Sequence, residues 1–377
     1  MPIGSDKGFI VKPGFDPLAT QTSVSASALY SWGYNYRGQL GLGDTVDRSS
    51  PVQVGITEWL TVSGGYNWAG AIKTNNTLWT WGNNSAGQLG NGTTGSVFST
   101  PIQVGVYTNW SQIAAGGNDG LAIKTDGTLW TWGQNAMGAA GQGTTGVVNT
   151  PAQVGALTTW ATVTGGYYCS YGIKTDGTLW SWGYNQAGRL GDGTTVDKSS
   201  PVQVGALTTW LNITAGYGWA VAIKTDGTLW AWGKGIHGAL GQGNVNDYSS
   251  PVQVGALTTW LKVASGAYHV LAINTTGQLW VWGKGINGAL GQGNTTDYSS
   301  PVQVGALTTW DKSSGGPYAS YAIKTDGTFW SWGYNNKGQL GVGNTTNYSS
   351  PVQVGALTAW SFLPKMSQAK GPLALQF

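Results

Sequence analysis

Nucleophilic catalysis by a serine, threonine or cysteine needs a base within reach, and this chain offers only two histidines, His237 and His269, and one cysteine, Cys169. Cys169 and His269 follow similar glycine-containing strings in segments a hundred residues apart, an arrangement that gives a catalytic pair little support. Glu58 is the sole glutamate, and Asp126, Asp176, Asp226 and Asp326 each sit in a Lys-Thr-Asp-Gly-Thr string that reads as a tight turn, so paired-carboxylate hydrolysis is poorly supplied. No Cys-x-x-Cys or His-x-x-x-His spacing suggests a metal centre. The Asp44-Thr45 and Asp192-Gly193 strings are too sparse in ligands to predict calcium. Gly-x-Gly fragments such as Gly241-Gln242-Gly243 precede no helix and do not read as phosphate cradles. The expectation is a protein without catalytic residues, cofactor or metal.

Composition narrows the class of partner. Charged residues make up 9% of the 377 residues, against about a quarter in an ordinary globular protein. The net charge of +3 is spread along the chain without a cationic run, so phosphate-backbone binding and hence nucleic acid are not expected. The opening MPIGSDKGFIVKPGFDPLA has no unbroken apolar region of the kind a secretory signal carries, and no stretch approaches a spanning helix, so neither export nor membrane insertion is expected.

The elements that would position any site are set by repetition. The string Pro-x-Gln-Val-Gly begins at Pro51, Pro101, Pro151, Pro201, Pro251, Pro301 and Pro351, a period of fifty residues recurring seven times. A Trp-Gly pair recurs with it, at Trp32, Trp81, Trp132, Trp182, Trp232, Trp282 and Trp332. The unit starting at Trp160 contains four short candidate strands, WATV, SYGIK, TLWSW and PVQV, the middle two joined by an Asp-Gly turn. Four antiparallel strands per unit, seven times over, predict an all-β fold, a seven-bladed β-propeller with one four-stranded sheet per blade. Trp180 and Trp182 lie two apart and share a strand face, which suits packing between blades.

WGYNYRGQLGLGD at 32–44 and WGYNNKGQLGVGN at 332–344 resemble the signature of the regulator-of-chromosome-condensation repeats, and the preceding AIKTDGTLW resembles the rest of that unit. The resemblance covers 28–377 and implies seven blades. It also implies regulatory protein-binding roles, since members include a nucleotide exchange factor for a small GTPase that also binds chromatin. The basic tail and acidic loop cluster of such a factor are missing here. Secreted propellers that inhibit β-lactamases through an aromatic loop face are a further resemblance.

The chain enters in mid-unit: SALYSWG at 27–33 corresponds to a third strand, while 358–363 matches a first strand and 372–377 a second. The two ends are therefore expected to share one blade, two strands each, within a propeller spanning 25–377. Residues 1–24 belong to no repeat and are expected to form an arm, packed on the rim or docked on a larger assembly.

Comparing the seven units with one another separates two faces. The turns KTDGT and GALTTW, on one face, barely vary. The loops between first and second strands, on the other, vary in every copy and carry the two tryptophans that fall outside the repeat pattern, Trp68 and Trp219. A partner-binding ring is expected from Tyr66, Trp68, Asp119, Tyr167, Tyr168, Tyr217, Trp219, Tyr268, His269 and Tyr318, flanked by the variable segments 34–37, 234–237 and 334–337. The alternative is that these side chains plug a central channel. The leading expectation is a noncatalytic structural or adhesion protein on a virion surface, a fibre or capsid decoration, that binds a protein or a surface glycan. A regulatory protein-binding propeller and a lectin are the alternatives, and a cytoplasmic location is the alternative to the virion.

Overall fold

A computed structural model describes residues 27–56, 58–364, 369 and 371–376. Seven four-stranded antiparallel sheets follow one another around a ring. In the unit read above the strands are Trp160–Gly165, Cys169–Lys174, Leu179–Gly183 and Lys198–Gln203, called a to d from the inside outward. From Trp59–Gly64 round to Trp310–Gly315 strand a packs on strand a of the neighbouring blade and so forms the inner wall, while strand d, with its Pro-Val-Gln, is the half-exposed outer edge. Strand b is buried along its whole length because both of its sides face a neighbouring blade.

The shared blade forms as the sequence predicts. Its order is Trp360–Phe362, Leu373–Gln376, Ala28–Gly33 and Arg48–Gln53, with Leu29 opposite Leu375 and Ser31 opposite Leu373. The expected arm over residues 1–24 lies outside the described residues.

Blades are joined by one repeated contact. The indole of every Trp-Gly tryptophan donates to a carbonyl in the preceding blade's c-to-d loop, from Trp81 Nε1 to Gln39 O through Trp332 Nε1 to Ala289 O, at 2.8–3.0 Å. At the seam Trp32 Nε1 donates to Gln339 O at 2.9 Å, so the ring closes with the bond used everywhere else. Two glycines of the repeat make room, one for this contact and one for the backbone of its own blade's a-to-b loop. A Cβ on Gly41 would stand 2.8 Å from Trp81 Nε1, and one on Gly82, at φ +102°, would stand 2.6 Å from Asn67 O. Around these indoles pack the aliphatic side chains of the adjoining blade, as Leu121, Ile123, Leu129 and Val154 do around Trp182 and Trp160. The tryptophan stripe is thus the inter-blade core, as its spacing implied.

Candidate functional site

The a-to-b and c-to-d loops emerge together on one face. Each of these a-to-b connections is only three residues long, because Gly65 N–H donates to Trp68 O, Gly116 to Asp119, Gly166 to Cys169, Gly216 to Trp219 and Gly266 to His269, at 2.7–3.0 Å. The loops are also stitched to one another: Tyr66 N–H donates to Gly117 O, Gly117 to Gly166, Tyr217 to Ala267 and Ala267 to Gly316. Beneath them the inner strands converge until a Cβ on Gly165 would stand 2.5 Å from Gly116 Cα. The loop ring is therefore backbone-braced, a rigid platform for whatever side chains it carries.

This geometry corrects four members of the expected ring. Trp68, Asp119, Trp219 and His269 are buried, as is Cys169, because the third residue after the glycine is already the first of strand b and its side chain turns down between blades. Trp68 Nε1 donates to Gly117 O of the next blade. His269 Nε2 lies 2.8 Å from Ser320 Oγ, but that hydroxyl already donates to Ala289 O, so the imidazole is the donor and the serine is not activated. Burial pushes His269 down to about 4 and leaves it neutral. Asp119 has no partner for either carboxylate oxygen among the described residues, and burial pushes it up to about 8, so it too is neutral at pH 7.

The six tyrosines of the expected ring do reach the face. Tyr168, Tyr167, Tyr217, Tyr268 and Tyr318 form a continuous arc, with ring centroids 4.2, 4.2, 5.5 and 5.2 Å apart in that order. Tyr334, in the c-to-d loop of the same blade as Tyr318, continues it at 6.3 Å. Burial and the neighbouring Tyr318, Tyr217 and Tyr66 push the Tyr268 hydroxyl up to about 12. Burial, Tyr168 and Tyr217 likewise raise Tyr167, so these hydroxyls stay protonated donors at all physiological pH.

A cation stands beside the arc. Lys284 Nζ lies 5.2 Å from the ring centre of Tyr268 and 5.8 Å from that of Tyr318. Sequence reasoning passed over Lys284, although it holds the same place in its unit as Lys234, Tyr34 and Tyr334 do in theirs, which was the available signal. Where the arc reaches the closing seam, Tyr34, Pro317, Tyr318, Tyr334, Lys337 and Gln339 line much of a pocket of about 240 Å³ floored by the buried Tyr321. Among the described residues no group of three His, Cys, Asp or Glu is placed to hold a metal. No helix among them is long and apolar enough to cross a membrane.

The molecule is thus a closed seven-bladed propeller with a braced, tyrosine-rich loop face. The regulator of chromosome condensation (RCC1) repeat profile matches seven successive segments, 27–72, 75–123, 126–173, 176–223, 226–273, 276–323 and 326–368, and a second profile of the same description matches 110–139 and 260–289. The chain belongs to the RCC1 repeat family. No curated protein sequence matches it. Among solved structures it is similar to human WBSCR16, with a TM-score of 0.83 at 18% identity over 93% of this chain and 99% of that one. It is similar also to Saccharomyces cerevisiae Prp20p, studied for its binding properties to Gsp1p and histones, with a TM-score of 0.83 at 19% identity over 94% and 92%. A yeast Prp20 structure with bound Kap60 gives a TM-score of 0.85 at 18% identity over 100% and 96%. At these identities the likeness is one of fold.

Proposed function

We propose that this chain is a noncatalytic, regulatory protein-binding propeller that holds a protein partner on its tyrosine-lined loop face. The observation that carries this reading is the continuous arc from Tyr168 to Tyr334 on a backbone-braced platform. Tyrosines fixed in this way give a partner large contact area at little entropic cost. The family supports it, since Prp20p is studied for binding Gsp1p and histones and is solved with Kap60. That support favours the regulatory alternative over the virion component that low charge and near-perfect repetition first suggested, and nothing in the family match speaks for a virion surface or a glycan. Whether the GTPase exchange role of some members extends to this chain is a separate question, answered by nucleotide release from small GTPases of its source organism.

The test is to immobilise the full chain and a Tyr217→Ser/Tyr268→Ser/Tyr318→Ser variant and compare the proteins each retains from an extract of the source organism. A partner retained by the parent and lost by the folded variant supports the reading. Identical retention overturns it.

A further inference from the structure

The arc has a chemical polarity that the protein-binding reading leaves unused. Its tyrosine hydroxyls and the lysine beside them can all donate, and the carboxylates of the neighbouring c-to-d loops are, among the described residues, already partnered. On the c-to-d loops Asp44 pairs with Arg48, Asp47 with Lys337, Asp192 with Lys198 and Asp297 with His237, while Asp197 and Asp247 accept from the backbone N–H of Asn185 and Gly235. Arg37, Lys234 and Lys284, by contrast, have no carboxylate partner among the described residues. These carboxylates are spent, while Lys284 stands without one beside Tyr268 and Tyr318, and Lys234 N–H donates to Gly218 O next to Tyr217.

The pocket sets the scale of what enters. Its volume of about 240 Å³ falls below the ~300 Å³ at which sites for whole small molecules begin. It suits one apolar side chain anchored between Tyr34, Tyr318, Tyr334 and Pro317. Tyr268 and Tyr318 are stacked at an interplanar angle of 12° and Tyr167 lies 4.2 Å from both Tyr168 and Tyr217, so these rings offer edges and hydroxyls more than open faces for stacked bases or sugars. Three scattered cations also fall short of a track for a phosphate backbone.

Resting on the protein-binding reading, we propose that the face takes an acidic, extended polypeptide segment of a partner, with one apolar side chain of that segment seated in the Tyr34–Tyr318–Tyr334 pocket and its carboxylates on Lys284, Lys234 and the tyrosine hydroxyls. Carboxylates there meet hydroxyl and ammonium donors, and the charge complementarity makes association salt-dependent.

The test uses the full chain and fluorescein-labelled short peptides: alternating Glu and Ser with one central Phe, the same with Ser in place of Phe, the same with Lys in place of Glu, and an oligo-dT control. The Glu/Phe peptide is expected to bind by anisotropy, more weakly as salt rises, and about tenfold more weakly to Lys284→Gln and to Tyr334→Ala. Thermal melts of both variants confirm that they fold, and Lys284→Arg is expected to keep binding. Equal binding of the Glu and Lys peptides, indifference to both variants, or oligo-dT binding at the same affinity overturns the proposal. If the tyrosine triple variant loses a native partner while no acidic peptide binds or competes with it, this inference fails and the protein-binding reading survives.

Discussion

The two faces of the ring are built from the same strands and differ in what their side chains are used for. On the face of the b-to-c turns, Asp226 Oδ1 accepts from Thr228 Oγ1 at 2.6 Å, that hydroxyl accepts from Trp230 Nε1 at 2.8 Å, and Lys224 Nζ sits 3.5 Å over the same indole. The blades containing Lys124, Lys174 and Lys324 repeat the arrangement, and the one containing Lys73 does so with Asn75 for the aspartate. The Asp, Thr and Lys groups of the turn are consumed locally, so the string stays constant because each copy needs it to fold. On the tyrosine face the a-to-b loops are braced by backbone bonds, and their side chains are released from that duty. Invariance among blades marks folding work, and variation marks surface free for a partner.

Both faces hang on one closed ring, so opening it must harm both. Deleting 358–377 removes Trp360, Leu373, Ala374 and Leu375, each at most 3% exposed. At about 1.5–3 kcal/mol for each large apolar side chain, the loss is on the order of 5 kcal/mol. The melting temperature should fall by more than about 10 °C. An unchanged calorimetric transition would mean that the seam carries no load.

A smaller experiment separates the faces directly. Asp226→Ala with Thr228→Val strands the Trp230 N–H beside a lysine and should cost about 2–3 kcal/mol in urea unfolding, with peptide or partner binding intact. Tyr217→Ser should cost no more than about 1 kcal/mol, the worth of its ring contacts, and weaken binding. If the costs came out reversed, the division of labour between the faces would be wrong.

The layer beneath the tyrosines makes a prediction in pH. Asp119 is raised in the fold to about 8 from 3.8, so the folded state holds a proton that the unfolded state releases, and stability falls with rising pH across that interval. His269 is lowered to about 4 from 6.5, so there the unfolded state holds the extra proton and stability rises with pH between those values. The two slopes oppose each other from about pH 4 to 6.5, and above 6.5 Asp119 acts alone, for a loss on the order of 2 kcal/mol by pH 8. Asp119→Asn should abolish that decline, measured as urea midpoints across pH 5 to 8. A decline that persists in the variant would place its origin elsewhere.

The sequence made the ring legible because Trp-Gly and Pro-x-Gln-Val-Gly mark strands c and d at a fixed period, and the missing half-units at the two ends fit each other. It misplaced Trp68, Trp219, Asp119 and His269 because a residue next to a Gly-x-x turn reads as loop. The glycine after each Trp carried the missing information: Trp68 pairs with Gly82 and Trp219 with Gly233, so the invariant glycine records a backbone lying against it. The seam pocket was half visible, since the segments 34–37 and 334–337 stood out as variable. What joins them is ring closure, a contact between residues about three hundred apart that no local pattern encodes.

One blade breaks the constant face, and repairing it gives the finest test of the comparison. Where four other blades carry Lys, Asp and Thr, this one has Asn274, Thr276 and Gln278. Asn274 Oδ1 takes over as acceptor for Thr276 and Gln278, and Gln278 Oε1 is drawn to Asn274 Nδ2 at 2.7 Å. Trp280 Nε1 is left buried with no acceptor, although Trp260 and Trp280 keep the 6.1 Å edge-to-face geometry of the intact pairs. Asn274→Lys/Thr276→Asp/Gln278→Thr restores one hydrogen bond and one cation over an indole, each of modest worth. The expected gain is about 1 kcal/mol in urea unfolding, with acidic-peptide affinity unchanged. If the triple variant instead gained nothing and lost partner binding, the divergence of this blade would be functional, and the constant face would have to be counted as a second docking surface.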